Sequence, residues 1–136
     1  MCSSDLVRRA IWEKYVFLVG LSATTASMRT SIGPIRKNPR ARAFLLEIMR
    51  EVVAVGRARG IALPADYADA CLARADGLPD DMIASMAHDL QRGNRLEVEW
   101  LSGGVVQLGA VAGVPTPANR AVWDILSLYA EGGKPA

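Results

Sequence analysis

Lys14 stands at the edge of the most apolar run of the chain, YVFLVGL from Tyr15 to Leu21. An ammonium beside such a run must carry its charge to water along its own aliphatic stem, find an anion, or hold its proton less tightly through desolvation. The first two outcomes are structural, with Glu13 the nearest carboxylate in sequence. The third makes the lysine a general acid, able to protonate an oxygen that gains negative charge during a reaction. If the run is helical, Leu18 and Ser22 lie one and two turns beyond Lys14 on the same face. A pocket above Lys14 would then be walled by one apolar and one small polar side chain.

A second polar concentration is SMAHDLQRGNRLEVEWLSGG, residues 85 to 104, which holds the one histidine of the chain. Ser85 suits the cap of a short helix, and His88 and Asp89 read as solvent-facing residues of that helix, so no Ser-His-Asp order follows from them. Glu97 suits the first turn of the next helix, where a carboxylate interacts well with the helix dipole, and that role needs no chemistry. The chain has no G-x-G-x-x-G, no P-loop and no H-E-x-x-H. Cys2 and Cys71 are too few for a disulfide framework or a zinc site, which points to a reducing compartment. Local motifs therefore build no cofactor or metal site.

These residues must be positioned by helices, because no β-hairpin signal and no sustained alternation occurs. Five or six helices are expected. The first runs from about Asp5 to Ser27, with an all-round apolar centre that predicts burial on several sides. TSIGPIRK reads as a loop. Asn38 then caps a helix with Pro39 at its first position, Gly60 at its end and a buried stripe of Phe44, Leu45, Ile48, Met49, Val52, Val53 and Val55. A shorter helix follows Pro64 and includes Tyr67, Cys71 and Leu72. Ser85 opens the next, ending near Gly93; another starts around Leu96 and ends at Gly113. The last is capped by Thr116 and begins at Pro117, offering Val122, Ile125, Leu126 and Leu128 for packing.

With 136 residues, 51% hydrophobic and 22% charged, the chain is one globular domain with a real core. The net charge of +2 implies neither a nucleic-acid nor a membrane partner, but it is unevenly spread. Arg29 to Arg59 carries eight basic residues against Glu47 and Glu51, while Gly60 to Glu99 carries eight acidic against three basic. Two complementary helix faces account for this; an anion-binding stripe is the alternative. Aromatic side chains do not interleave with the arginines, which disfavours nucleic-acid stacking. Arg8, Arg9 and Lys14 before the apolar run loosely imitate a secretory leader, but Asp5 and Glu13 spoil it, so a cytoplasmic protein is expected. No run approaches the roughly 20 apolar residues of a membrane span.

IWEKYVFLVGLSATTA and SMAHDLQRGNRLEVEWLSGGVVQLGAVAGVPTPANRAVW together resemble the C-terminal domain of the ketopantoate reductase (2-dehydropantoate 2-reductase) family, over about Asp5 to Tyr129. The likeness lies in an ordered set that includes Trp12, Lys14, Ser85, Asp89, Gly93, Glu97, Gly103, Gly113, Pro117 and Asn119. It implies an all-α domain over residues 5–130, similar to the C-terminal domain of 6-phosphogluconate dehydrogenases, that works with an N-terminal Rossmann domain absent from this chain. That domain would bind NADPH and join in cis or in trans. The resemblance also implies a small 2-oxo acid substrate and a possible homodimer.

The lysine matching Lys14 protonates the ketone as hydride arrives, the serine matching Ser85 holds substrate, and the glutamate matching Glu97 organises the pocket between substrate and nicotinamide ribose. Such a lysine, in partly apolar surroundings, can donate a proton and recover it, while a nearby carboxylate keeps it charged. Leu18 and Ser22 stand where the family usually carries asparagines that position the lysine and bind substrate, and Leu96 replaces a polar residue. The expected activity is NADPH-dependent reduction of ketopantoate or a related 2-oxo acid, with the chain alone inactive. The alternative is a non-catalytic helical domain kept for dimerisation or ligand binding.

Overall fold

The computed structural model describes residues 3–133, so Cys2 lies outside the described residues. The first helix, α1 (Ser3–Ser27), changes character along its length. Up to Ile11 every described side chain except Arg9 is exposed, whereas from Val19 to Ala26 every residue is buried. The small residues of that second part let neighbours approach closely. A Cβ at Gly20 would meet the Met49 Cε at 2.5 Å. Buried hydroxyls would weaken such a helix if left unpaired, and two are satisfied by the preceding turn: Thr24 donates to the Gly20 carbonyl at 2.9 Å and Thr25 to that of Leu21 at 2.7 Å. The all-round burial thus begins at Val19; Lys14 and Leu18 remain exposed on one flank.

The expected loop after α1 contains a short helix, α2 (Ile32–Lys37). Ile32 and Ile35 bury, Pro34 sits in the first turn where its missing N–H costs nothing, and the amides of Ile32 and Gly33 donate to the carbonyls of Met82 and Asp80, both at 2.9 Å. Those partners are remote in sequence, so no local signal announces the helix. In α3 (Pro39–Ala58) the expected ends hold, and all of the expected stripe but the half-buried Phe44 is buried: the Asn38 side chain accepts from Arg40 and Ala41 N–H at 3.0 and 3.1 Å, and Gly60 adopts a left-handed φ of 84°.

Then come α4 (Tyr67–Ala75), α5 (Ser85–Arg92), α6 (Ser102–Ala112), α7 (Pro117–Leu126) and a 3-10 turn, Ser127–Tyr129. Seven α-helices and no strand occur among the described residues, so the fold is all-α. Both α1 and α3 touch α2, α4 and α7 as well as each other, which makes them the two central rods. No helix among the described residues is long and apolar enough to cross a membrane.

Three local expectations are corrected. α6 begins at Ser102 rather than around Leu96, and Leu96 and Val98, both buried, lie in the segment that leads to it. The Leu96 N–H donates to the Ala130 carbonyl at 2.9 Å instead of joining a helix, and residues 98–101 form a turn closed on the Glu97 carbonyl. Thr116 makes no side-chain cap on α7. Its place is taken by Glu51 of α3, whose carboxylate accepts from the Ala118 and Asn119 N–H groups and from the Asn119 amide, each at 2.9 Å. Ile125 and Leu128 are exposed, and Val122 and Leu126 alone of the four expected residues are buried.

The charge asymmetry resolves into intramolecular pairs. Arg36 and Lys37 meet Asp80, Arg42 grips Asp76 at 2.6 and 2.8 Å, and Arg50 reaches Asp69 at 3.4 Å. Arg36 also donates to the carbonyls of Ala75 and Leu78, at 2.8 and 2.7 Å, pinning the α4–α5 connection to α2.

Candidate functional site

The exposed flank of α1, the side of α4 and the start of α5 enclose an open cleft of about 680 Å³. Glu13, Lys14, Phe17, Leu18 and Leu21 come from α1, Tyr67 and Arg74 from α4, and Met82 to Ser85 from the segment leading into α5. The spacing 14, 17, 18, 21 is one helical stripe, so a regular α1 presents these side chains together. Two of the expected residues beside Lys14 are therefore in the same cleft, Leu18 and Ser85.

Lys14 has no ion-pair partner among the described residues, because Glu13 turns to Arg9 at 3.8 Å. Ser85 does not cap α5: the cap position is the buried Ala84, whose N–H lies 3.3 Å from the Thr25 hydroxyl, and the helix carries no side-chain cap bond. Ser85 instead starts the helix on the cleft side with an exposed side chain. Leu18, 39% exposed, offers the cleft a hydrocarbon surface and no hydrogen bond.

The other two expected residues are not brought into this cleft. Ser22 is fully buried, and its hydroxyl has no partner among the described residues. Glu97 lies in the turn before α6 and lines a separate hollow with Arg95, Glu99, Trp100 and Glu131. It does not open a helix, so the dipole explanation for this carboxylate fails. The two places are joined through Tyr15, the neighbour of Lys14, whose hydroxyl reaches the carbonyls of Trp100 and Leu101. The N–H groups of those same residues donate to the Glu97 carbonyl at 3.0 and 3.1 Å.

Sequence reasoning missed Arg74 and Tyr67. Both could have been found, since Tyr67, Cys71 and Arg74 follow one face of α4 at helical spacing. The Arg74 guanidinium carbon lies 4.2 Å over the Phe17 ring. Burial pushes the Tyr67 phenol up to about 12, and burial likewise raises the Cys71 thiol beside it, so both stay neutral near pH 7.

Residues 6–130 match the family described as Ketopantoate reductase PanE/ApbA C terminal, and the chain belongs to that family. Among its relatives is the 2-dehydropantoate 2-reductase of Pyrobaculum aerophilum, 29% identical over 115 residues, or 85% of this chain and 41% of that one. A PanE/ApbA family ketopantoate reductase from Ralstonia eutropha JMP134 is 33% identical, with a TM-score of 0.80 over 89% of this chain and 40% of that one. A dimeric ketopantoate reductase from Staphylococcus aureus is 25% identical, with a TM-score of 0.85 over 91% of this chain and 43% of that one. The chain spans less than half the length of each of these relatives.

Proposed function

We propose that this chain is the substrate-binding and proton-donating part of a 2-oxo acid reductase of the ketopantoate reductase kind. The observation that supports it most is Lys14, a cation without a counter-ion among the described residues on the wall of a largely apolar cleft, with the exposed Ser85 side chain on the same cleft. In this reading the Lys14 ammonium donates its proton to the ketone oxygen as that oxygen gains charge, and Ser85 hydrogen-bonds the substrate. Phe17, Leu18, Leu21, Met82 and Ile83 thin the water around the reacting carbonyl, which strengthens each charge interaction there.

A nicotinamide dinucleotide, NADPH in this proposal, supplies the hydride when bound. Its ribose hydroxyls suit the exposed Glu97 carboxylate, in a hollow lined by Glu97, Glu99 and Glu131 against Arg95 alone. Its phosphates do not suit such a hollow, and the sequence has no glycine-rich phosphate loop. The cofactor is therefore held mainly by a Rossmann domain joined in cis or in trans, and the chain by itself is inactive. Ser22, sealed in the core, acts only as backing for the wall of α1. A homodimer formed by the complete protein completes the proposal.

The test uses this chain fused behind the N-terminal portion of a ketopantoate reductase relative. Lys14→Ala is expected to lower kcat by about 10² to 10⁴, the range of general acid catalysis, with a far smaller change in KM. Unchanged turnover would leave Lys14 a structural residue and end this reading.

A further inference from the structure

We propose that Arg74 anchors the substrate carboxylate in this cleft, and that the acid it takes is a monocarboxylic 2-oxo acid with a branched or aromatic apolar side chain. The inference rests on the reading of the cleft as a 2-oxo acid site and adds to it the group that fixes the acid's orientation. Most arginines near the acidic segment already have oxygen partners: Arg36, Arg42 and Arg50 meet aspartates, and Arg57 donates to the Leu63 carbonyl at 2.6 Å. Arg74 has no hydrogen-bond or ion-pair partner for its guanidinium among the described residues, and it faces the cleft.

Phe17 carries Arg74 on its ring, and Phe17 is one helical turn beyond Lys14. Side chains so spaced are neighbours about 5 to 6 Å apart at Cβ, so the Lys14 ammonium and the guanidinium resting on Phe17 serve the same stretch of the cleft wall. A guanidinium over an aromatic face keeps its in-plane N–H groups free, and these match a carboxylate two-pronged. The ammonium of Lys14 is then left for the ketone oxygen.

Charge and lining narrow the class. The ionised groups on the cleft are Lys14, Arg74 and Glu13, and Glu13 is engaged by Arg9 at 3.8 Å. Tyr67 is neutral near pH 7. A second substrate carboxylate would have no cation left to meet and would face Glu13 or hydrocarbon. The remaining surface, from Phe17, Leu18, Leu21, Met82 and Ile83, takes an apolar side chain.

The alternative role for Arg74 is structural, since a cation at the end of α4 also favours the helix dipole. A ¹⁵N NMR titration of the chain separates the two, using 4-methyl-2-oxopentanoate, its methyl ester and 2-oxoglutarate. The acid is expected to give saturable shifts at the amides of Ile83, Ala84 and Ser85, with the ester and 2-oxoglutarate at least tenfold weaker. Arg74→Met should weaken the acid at least tenfold, Arg74→Lys should restore part of the loss, and the control Arg50→Met should change nothing. Should Arg74→Met disturb the fold, Arg74→Gln with Phe17→Leu as a second probe carries the same expectation. Equal binding of acid and ester, an unchanged Kd in the Arg74 variants, or no saturable shift in the wild-type chain overturns the proposal. Failure of the reductase reading looks different: the acid still binds through Arg74 while the fused protein turns over normally with Lys14→Ala.

Discussion

The Tyr15 hydroxyl lies 2.9 Å from the Trp100 carbonyl oxygen and 3.0 Å from that of Leu101, so the residue after Lys14 is tied to the turn that carries Glu97. The Leu101 carbonyl also accepts the Val105 N–H of α6 at 3.1 Å, so the Tyr15 proton reaches one carbonyl that the helix already uses and one, that of Trp100, just outside it. Trp12 packs edge-on against the Tyr15 ring with centroids 5.3 Å apart, and a Cβ at Gly104 would come within 2.8 Å of the hydroxyl. The phenol is thus located on both sides, and it sets how α1 and the Glu97 turn approach each other.

Tyr15→Phe keeps the ring and removes the bond, which should cost about 1 kcal/mol and lower Tm by a few degrees. Burial holds the Tyr15 phenol at about 12, above its ordinary 10.0. The folded state therefore keeps a proton that the unfolded chain releases first, and stability is full below pH 10 and falls as pH climbs toward 12. Urea titrations at pH 9 and 11.5 should show a smaller alkaline loss in Tyr15→Phe than in wild type. Some loss must remain, because Tyr67 shifts the same way. An identical loss in both proteins would show that Tyr15 does not titrate as a buried group.

Glu51 is the cap that sequence reasoning assigned to Thr116. Only 8% exposed, it satisfies two opening amides of α7 from another helix. Glu51→Gln leaves an amide donor facing an N–H and should cost about 2 to 3 kcal/mol, as for hydrogen bonds to a charged group. Thr116→Ser should be close to neutral as far as capping goes, because the threonine hydroxyl makes no cap bond. Paired urea curves decide: a Thr116→Ser loss as large as that of Glu51→Gln would contradict the assignment.

Arg42 holds the Asp76 carboxyl below its ordinary value of 3.8, chiefly through their side-chain hydrogen bonds. A depressed folded pKa contributes stability above the unfolded value and loses it as pH falls through the folded one. The pair is largely exposed, so a double-mutant cycle with Arg42→Ala and Asp76→Ala should give only about 0.2 to 1 kcal/mol at pH 7, less in high salt. At pH 2 the coupling should be much reduced. A coupling that is the same at both values would assign it to packing of the Arg42 stem instead.

What could be read from the sequence was what short-range chemistry writes. Asn38 with Pro39, and the left-handed glycines Gly60, Gly93 and Gly113, placed helix ends correctly because their caps are local. The all-α fold and the pairing of basic with acidic segments were also legible. α2 was not, because the groups that receive its first amides lie in the 80–82 loop. Glu97 was placed on a helix because carboxylates favour helix starts, yet the Leu96 N–H pairs with the remote Ala130 carbonyl and the chain from Glu97 to Leu101 closes a turn instead. In the cleft, the stripe of Lys14 and Leu18 was visible at helical spacing, whereas Arg74 needed the packing of α4 on Phe17 to bring it there.

Leu18 decides what the cleft can prefer. It stands one turn beyond Lys14, partly open to the cleft, so a polar replacement there meets water rather than core and should leave stability nearly unchanged. Hydrocarbon at this point forms no hydrogen bond with a substrate hydroxyl, and a buried hydroxyl without a partner is costly. An apolar wall gains only about 1 to 3 kcal/mol per matched methylene, so it shifts preference without creating a tight new specificity. In the fused reductase, Leu18→Asn is therefore expected to raise kcat/KM for ketopantoate, which bears a hydroxyl, relative to 2-oxo acids that lack one. The ratio across a panel of such acids is the measurement. A wild-type preference for ketopantoate that Leu18→Asn leaves unchanged would mean that the hydroxyl is bound elsewhere, and that Leu18 shapes the cleft without selecting what enters it.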